Sequence, residues 1–192
     1  MTARDAPVSG GPEAAVAPPM FACYLDGRPH GQGSMNLYAV NGHAHGDYPA
    51  TTKTYRNSLV DRIRDRWADR PVCTAPVTVR LDAWLPRPAS HWLPANRRRP
   101  YPLLRPAAPV HCTTGADLDK ICRLAGDALQ AAGVVKDDRQ ICGWDAVRRW
   151  SNRYDSPGCL TLAVYPAAAP DLPMRLADTI AELDLIPPGG PR

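Results

Sequence analysis

The sequence predicts an α/β (α+β) fold, a small set of strands packed with two main helices. Three observations predict it. Two stretches, 51–67 and 117–132, carry apolar residues at helical spacing. Residues 77–85 (VTVRLDAWL) alternate apolar and polar, as a half-buried strand does. The prolines divide the chain: four lie in residues 1–20, seven in 86–109, six in 166–192, and none in 110–156. Proline lacks an N–H and fixes φ, so it stays out of helix interiors and central strands. The map therefore reads as a tail, a folded block, a long loop, a second folded block and another tail.

Taken in order, residues 1–19 form a Pro/Gly/Ala-rich tail expected to be disordered. They show no basic segment leading into an apolar one, so no signal peptide is expected. Residues 21–25 (FACYL) read as a strand, followed by the Gly-rich DGRPHGQGS. Residues 36–41 read as a second strand and NGHAHGDYP as a turn. In 51–67, Tyr55, Leu59, Ile63 and Trp67 recur every four residues with Val60 beside them, and Pro71 stops the helix. After strand 77–85 comes a Pro/Arg-rich loop, 86–116, with Arg87, Arg97, Arg98, Arg99 and Arg105. In the second helix Leu118, Ile121, Cys122, Ala125, Ala128, Leu129 and Ala132 fall within an arc of about 120°. Gly133 suits the C′ position. A polar turn, Lys136–Arg139, leads to strands at 140–150 and 159–165. The domain is expected to span 20–166. A Pro-rich tail, 167–192, follows, with a short helix at 178–185.

Composition narrows the classes. With 44% apolar residues and five Trp, the chain can build a core. Apolar runs are too short for a membrane span. The net charge is +4, from 20 Arg and 3 Lys against 17 Asp and 2 Glu. The six cysteines match no zinc spacing and are expected to be inert thiols in a reducing cytoplasm. His43-x-His45-x-Asp47 looks like the start of a metal motif, but Tyr48 stands where the closing His belongs, so a loop is expected. His91 and His111 stand isolated.

The aspartates carry the chemistry. Asp117-Leu118-Asp119 opens the second helix, and Asp137-Asp138 lies just before the following strand. If the chain is extended at 117–119, both carboxylates face out together. Clustered carboxylates repel one another and call for a cation. Their hard oxygens favour Mg²⁺ or Mn²⁺ over zinc, which suits phosphoryl chemistry. Arginine-rich surroundings suit a polyanion. The plain alternatives stay open: Asp117 and Asp119 as caps, Asp137-Asp138 as an ordinary turn, Arg123 as part of a solvated ion-pair row with Asp119 and Asp127, and Arg97–Arg99 as a solvated loop.

The run Asp117-Leu118-Asp119, Arg123, Asp127-Ala128-Leu129, Gly133 and Asp137-Asp138-Arg139-Gln140-Ile141 resembles the RusA family of Holliday junction resolvases, with no gap in spacing. The Gly27–Met35 segment and Leu85-Pro86-Arg87-Pro88 are also similar. The resemblance implies a small mixed sheet with two main helices, a homodimer, and Mg²⁺-dependent paired nicking of four-way DNA in recombination and repair. It implies that Asp117, Asp119 and Asp138 hold metal, with Asp137 adjacent. Relatives often have Lys where this chain has Arg123, a planar fork in place of a point charge. Arg123 and Lys120 are expected at the scissile phosphate. Lys53, Arg56, Arg97, Arg98 and Arg99 are expected on backbone phosphates. The expected location is cytoplasmic, in a bacterium or phage. The alternatives are a branched-DNA-binding module of the same fold with little or no nuclease activity, and a nucleotide phosphohydrolase.

Overall fold

The computed structural model describes residues 18–33, 36–41, 43–47 and 49–167; for 36–40 and 43–47 it describes the backbone alone. The predicted tail helix at 178–185, most of both tails, and Ser34 and Met35 of the Gly-rich segment lie outside the described residues.

In chain order the strands and helices are β1 (Phe21–Asp26), β2 (Asn36–Val40), β3 (His43–Asp47), α1 (Ala50–Trp67), β4 (Val77–Leu85), β5 (Trp92–Leu93), β6 (Leu103–Leu104), α2 (Leu118–Ala131), β7 (Ile141–Trp150) and β8 (Cys159–Pro166). The main sheet runs β1-β8-β4-β7. β8 is antiparallel to β1 and to β4, while β7 is parallel to β4. Strands are mixed in direction, as the fold class implies. The parallel pair requires a long crossover, and residues 86–140 supply it.

Both helices cover one face. α1 packs on β1, α2 on β7, and the helices touch each other. The predicted α1 stripe is buried whole: Tyr55, Leu59, Val60, Ile63 and Trp67. Val77, Val79, Leu81, Ala83 and Leu85 meet it from β4. Five such side chains sealed from water contribute on the order of 1.5–3 kcal/mol each where they are Val or Leu. α2 ends as predicted. Gly133 has φ +79°. Its N–H donates to Gln130 O, and Val134 N–H to Leu129 O, both at 3.0 Å. These two bonds define a Schellman close. All six cysteines are free.

Three expectations change. Within the predicted turn at 41–49, residues 43–47 instead form β3, paired with β2 as a hairpin, with Asn41 at φ +52° after β2. Asn-Gly between extended runs is the short-loop hairpin signal, outweighed in the sequence by the surrounding Gly and His. His43, His45 and Asp47 thus lie on a strand rather than in a loop, and their side chains are outside the description.

The loop 86–116 contains a finger. β5 and β6 pair, and Asn96 Oδ1 accepts from the N–H groups of Arg98 and Arg99 to make its tip. Arg105 Nε donates to Trp92 O at 3.1 Å, and Arg87 to Pro109 O at 2.8 Å. Two loop arginines are therefore staples of the finger.

Third, the α2 stripe is displaced. Leu124 is buried, while Leu118 and Cys122 are only half-buried. Those two face a pocket.

Candidate active site

Asp117 is the N-cap of α2, with extended backbone (φ −66°, ψ 143°), and the helix begins at Leu118. The extended reading therefore holds for Asp117 and stops there, because Asp119 already sits in the first helical turn. Asp117 makes no capping bond with its side chain. Its carboxylate instead takes Lys120 Nζ at 2.8 Å. That bond and charge hold Asp117 below the ordinary carboxylate range and raise Lys120.

The approach to Asp117 is fixed by backbone. Gly115 has φ +97°, and a Cβ there would fall 2.5 Å from Leu85. Arg148 on β7 donates to Ala116 O at 2.6 Å. On the other side, Gln32 N–H donates to Lys120 O at 2.9 Å.

The second aspartate pair opens a short 3₁₀ turn, Asp138–Gln140. Asp137 caps it. Its carboxylate accepts Arg139 N–H at 3.0 Å and both arms of the Arg139 guanidinium at 2.8 Å. Those bonds push the Asp137 carboxyl far below its usual range. Gln140 Oε1 accepts the N–H groups of Lys136 and Asp137, while its Nε2 donates to the carbonyls of Cys73 and Ala75. The turn is thus bolted to the segment before β4.

A pocket of about 580 Å³ lies between α2, this turn and β7. Asp119, Arg123 and Asp138 all line it, with Cys122, Gly126 and Trp144. Positions 119, 122, 123 and 126 follow helical spacing, so one face of α2 forms one wall. The turn lies close to α2 at Gly126: a Cβ there would be in ordinary contact with Asp138 Cβ at 4.0 Å. Asp138 therefore faces α2 beside Gly126, on the helix face that also carries Asp119. The two carboxylates line one pocket, with Arg123 between them in sequence.

The predicted site residues divide accordingly. Asp119, Arg123 and Asp138 come together. Asp117 and Lys120 pair with each other beside the pocket, and Asp137 is turned away onto Arg139. Lys53 and Arg56 lie on α1 and Arg97–Arg99 at the finger tip, none of them among the pocket's lining residues. Arg97 and Arg98 are exposed, whereas Arg99 bonds to Pro94 O.

Trp144 was not singled out in the sequence. It sits on the helix-covered face of β7, paired with Val79, and stays partly exposed because α2 offers only Gly126 there. A glycine on a pocket-facing helix stripe, seven residues after an acid, was the available signal.

Among the described residues, no group of three or more His, Cys, Asp or Glu side chains is gathered as a cation site. The donor type still fits a hard divalent ion. Asp119 and Asp138 offer oxygens, and burial with Asp119 nearby pushes the Cys122 thiol up to about 11, so it stays protonated and is no soft ligand near neutrality.

The chain matches the family described as Endodeoxyribonuclease RusA over residues 26–156. It belongs to that family. The matched span covers most of the chain and runs from the end of β1 to beyond β7, so it includes both aspartate pairs and the whole pocket. No curated protein matches the chain. No helix among the described residues is long and apolar enough to cross a membrane. Arg123, within the matched span, lines the pocket.

Proposed function

We propose that this chain is a Mg²⁺-dependent endodeoxyribonuclease that resolves four-way DNA junctions by paired nicks, acting as a homodimer. One observation carries the reading: Asp119, Arg123 and Asp138 open onto one pocket on the shared face of α2 and β7. Asp119 and Asp138 would hold the cation, with Mn²⁺ as a substitute. Such an ion supplies Lewis acidity at the scissile phosphate and its attacking water. Asp117 becomes the third donor when Lys120 leaves it for a phosphate oxygen. Groups of this kind commonly tighten only in the substrate complex. Arg123 presents a fork of N–H donors suited to phosphate oxygens. Trp144 gives a deoxyribose or base an apolar wall.

Exposed Lys53 on α1 and Arg97 and Arg98 at the finger tip hold backbone phosphates beyond the pocket, with Arg56 beside Lys53. Two-fold symmetry places two such sites on two strands of a junction.

The test incubates the purified full chain with a labelled four-way junction, with and without Mg²⁺. Nicks appear with the metal and vanish in Asp119→Asn, while junction binding in EDTA persists. A second reading, a branched-DNA-binding module with little or no cutting, is favoured by the Asp117–Lys120 pair, which occupies one expected ligand. Junctions bound but uncut in both Mg²⁺ and Mn²⁺ would establish it. Hydrolysis of small phosphoesters but not of junctions would contradict both.

A further inference from the structure

The loop 86–116 holds five arginines and no acidic residue, whereas the whole chain has a net charge of only +4. The rest of the chain is thus close to neutral, and this loop is its basic part. Three of the five serve the loop's own backbone. Arg87 donates to Pro109 O, Arg99 to Pro94 O and Arg105 to Trp92 O. Arg97 and Arg98 are left at the finger tip, both exposed. Two adjacent cations with no acid in the loop to offset them suit a polyanion.

Apolar side chains stand open beside them. Among the described residues seven large apolar side chains are exposed, and four of them, Tyr101, Leu103, Leu104 and Val110, lie in this loop. Tyr101 follows Arg98 by three positions and is 75% exposed. A lone exposed apolar side chain needs no explanation, but a group of them interleaved with arginine marks a binding surface.

The finger is also built to hold its shape. At the tip, Asn96 and Arg99 exchange backbone bonds of 2.7 and 3.0 Å, and Asn96 Oδ1 accepts the N–H groups of Arg98 and Arg99. At the root, the His91 ring meets Trp150 edge-on at 5.3 Å between centroids, and Trp92 meets Tyr154 at 5.5 Å. Pro94, Pro100 and Pro102 restrict the two legs. An aromatic tip held in this way loses little freedom on binding.

The finger is tied to the strand that walls the active site. Trp150 on β7 donates to His111 O at 2.9 Å, and Arg148, two residues earlier, donates to Ala116 O at 2.6 Å. Two residues span about 7 Å of a strand. The chain returning from the finger is therefore fixed close to the approach to Asp117.

We propose that Tyr101 stacks on a nucleobase left unpaired at the branch of the DNA, with Arg97 and Arg98 on the adjoining phosphates, and that this contact makes the chain favour branched over plain duplex DNA. The proposal rests on the DNA-cutting reading above and adds a specificity-determining residue to it. Bases within a plain duplex are stacked on their neighbours, whereas a base beside a branch exposes a face at little cost. Every base has such a face, so the contact reads structure rather than sequence. A second copy of this chain suits the tip less well, since it would bring the same two arginines against these.

The experiment compares binding of a four-way junction and of a plain duplex in EDTA, where cleavage does not enter. Tyr101→Ala lowers junction affinity by about tenfold, as the loss of one base stack does, and leaves duplex affinity within about a factor of two. Its melting temperature stays at the wild-type value, because the side chain is exposed. Tyr101→Phe keeps the ring and keeps the junction preference. Arg97→Ala and Arg98→Ala each weaken binding of both DNAs and make the plot of log affinity against log salt shallower by about 0.7–0.9, the value for one phosphate. An unchanged junction-to-duplex ratio in Tyr101→Ala, or unchanged salt slopes in both arginine variants, overturns the proposal. Weaker self-association of Tyr101→Ala in sedimentation, with junction affinity recovered at higher protein concentration, also overturns it and assigns the tip to a contact between copies. A wild-type chain that binds no junction fails the DNA-cutting reading first, and this proposal with it. A wild-type chain that binds and cuts junctions no better than Tyr101→Ala does fails this proposal alone.

Discussion

The two aspartate pairs, Asp117/Asp119 and Asp137/Asp138, look alike in sequence and are held in different ways. In each pair one carboxylate is engaged by a cation on its own element while the other opens on the pocket. Asp117 has a single exposed contact with Lys120 and no capping bond. Asp137 is gripped by both arms of Arg139 and by a backbone N–H, inside a closed capping box with Gln140. A lone exposed ion pair is weak and exchangeable, whereas a bidentate pair with a cap is not. On the reading proposed above, the difference leaves Asp117 free to exchange Lys120 for a cation. Asp137 serves to set the turn that presents Asp138.

The largest effects should come from the two pocket carboxylates. Asp119→Asn and Asp138→Asn each lower junction cleavage by more than about a hundredfold, beyond the 10–100-fold typical of groups that only support a metal ligand. Asp117→Asn sits lower, at about 10–100-fold, with binding in EDTA retained. Asp137→Asn leaves cleavage near wild type, because Asn also caps a turn well. Single-turnover cleavage of all four variants ranks them. Equal losses at 117 and 137 would break the comparison.

Gln140→Ala sharpens it from the other side. The change removes four hydrogen bonds that tie the 136–140 turn together and to residues 73–75. After solvent takes over some of them, the cost is about 2 kcal/mol. For a domain of this size that lowers the melting temperature by roughly 4–8 °C. Cleavage falls with it, since Asp138 loses its fixed approach to Gly126, while binding in EDTA stays within a small factor. Calorimetry and a gel-shift assay separate the two. A stable variant with lost cleavage would make Gln140 a positioning residue alone; unchanged stability and cleavage would mean the turn holds without it.

Periodicity made much of this legible. Tyr55, Leu59, Ile63 and Trp67 repeat at a clean interval and were buried as read. Alternation located β4, and Gly133 marked the helix end. The site was legible as residue types but not as geometry. Asp119 and Asp138 share a pocket only because β7 lies parallel to β4, and nothing in a strand's own sequence names its neighbour. The finger at 92–104 was hidden because its strands are two residues each, too short for alternation, and its order rests on Asn96, Arg87 and Arg105 bonding to backbone. Trp144 sits at a core-facing position of β7, paired with Val79, and nothing in its own strand marks it as open. It is the glycine opposite, on another element, that leaves it open.

The smallest effect is a dependence of stability on pH, and it tests the grip on Asp137 directly. Arg139 holds the Asp137 carboxyl far below the ordinary carboxylate range, chiefly through side-chain hydrogen bonds and then through its backbone N–H. The unfolded chain has an Asp pKa near 3.9. A carboxylate whose pKa is depressed by folding stabilises the fold fully above the unfolded value, and that contribution fades as pH falls toward the folded one. In wild type, stability should therefore decline as pH drops below about 4. Asp137→Asn removes this titration, so its melting temperature is lower near neutrality and falls less steeply between about pH 4 and 2. The two curves converge in strong acid. Asp117 is depressed as well, by Lys120, but through one exposed contact, so Asp117→Asn flattens the acid limb less. Acid limbs of equal slope in the two variants would show that the bidentate grip on Asp137 adds nothing to the exposed one on Asp117, and the turn carrying Asp138 would then owe its position to Gln140 alone.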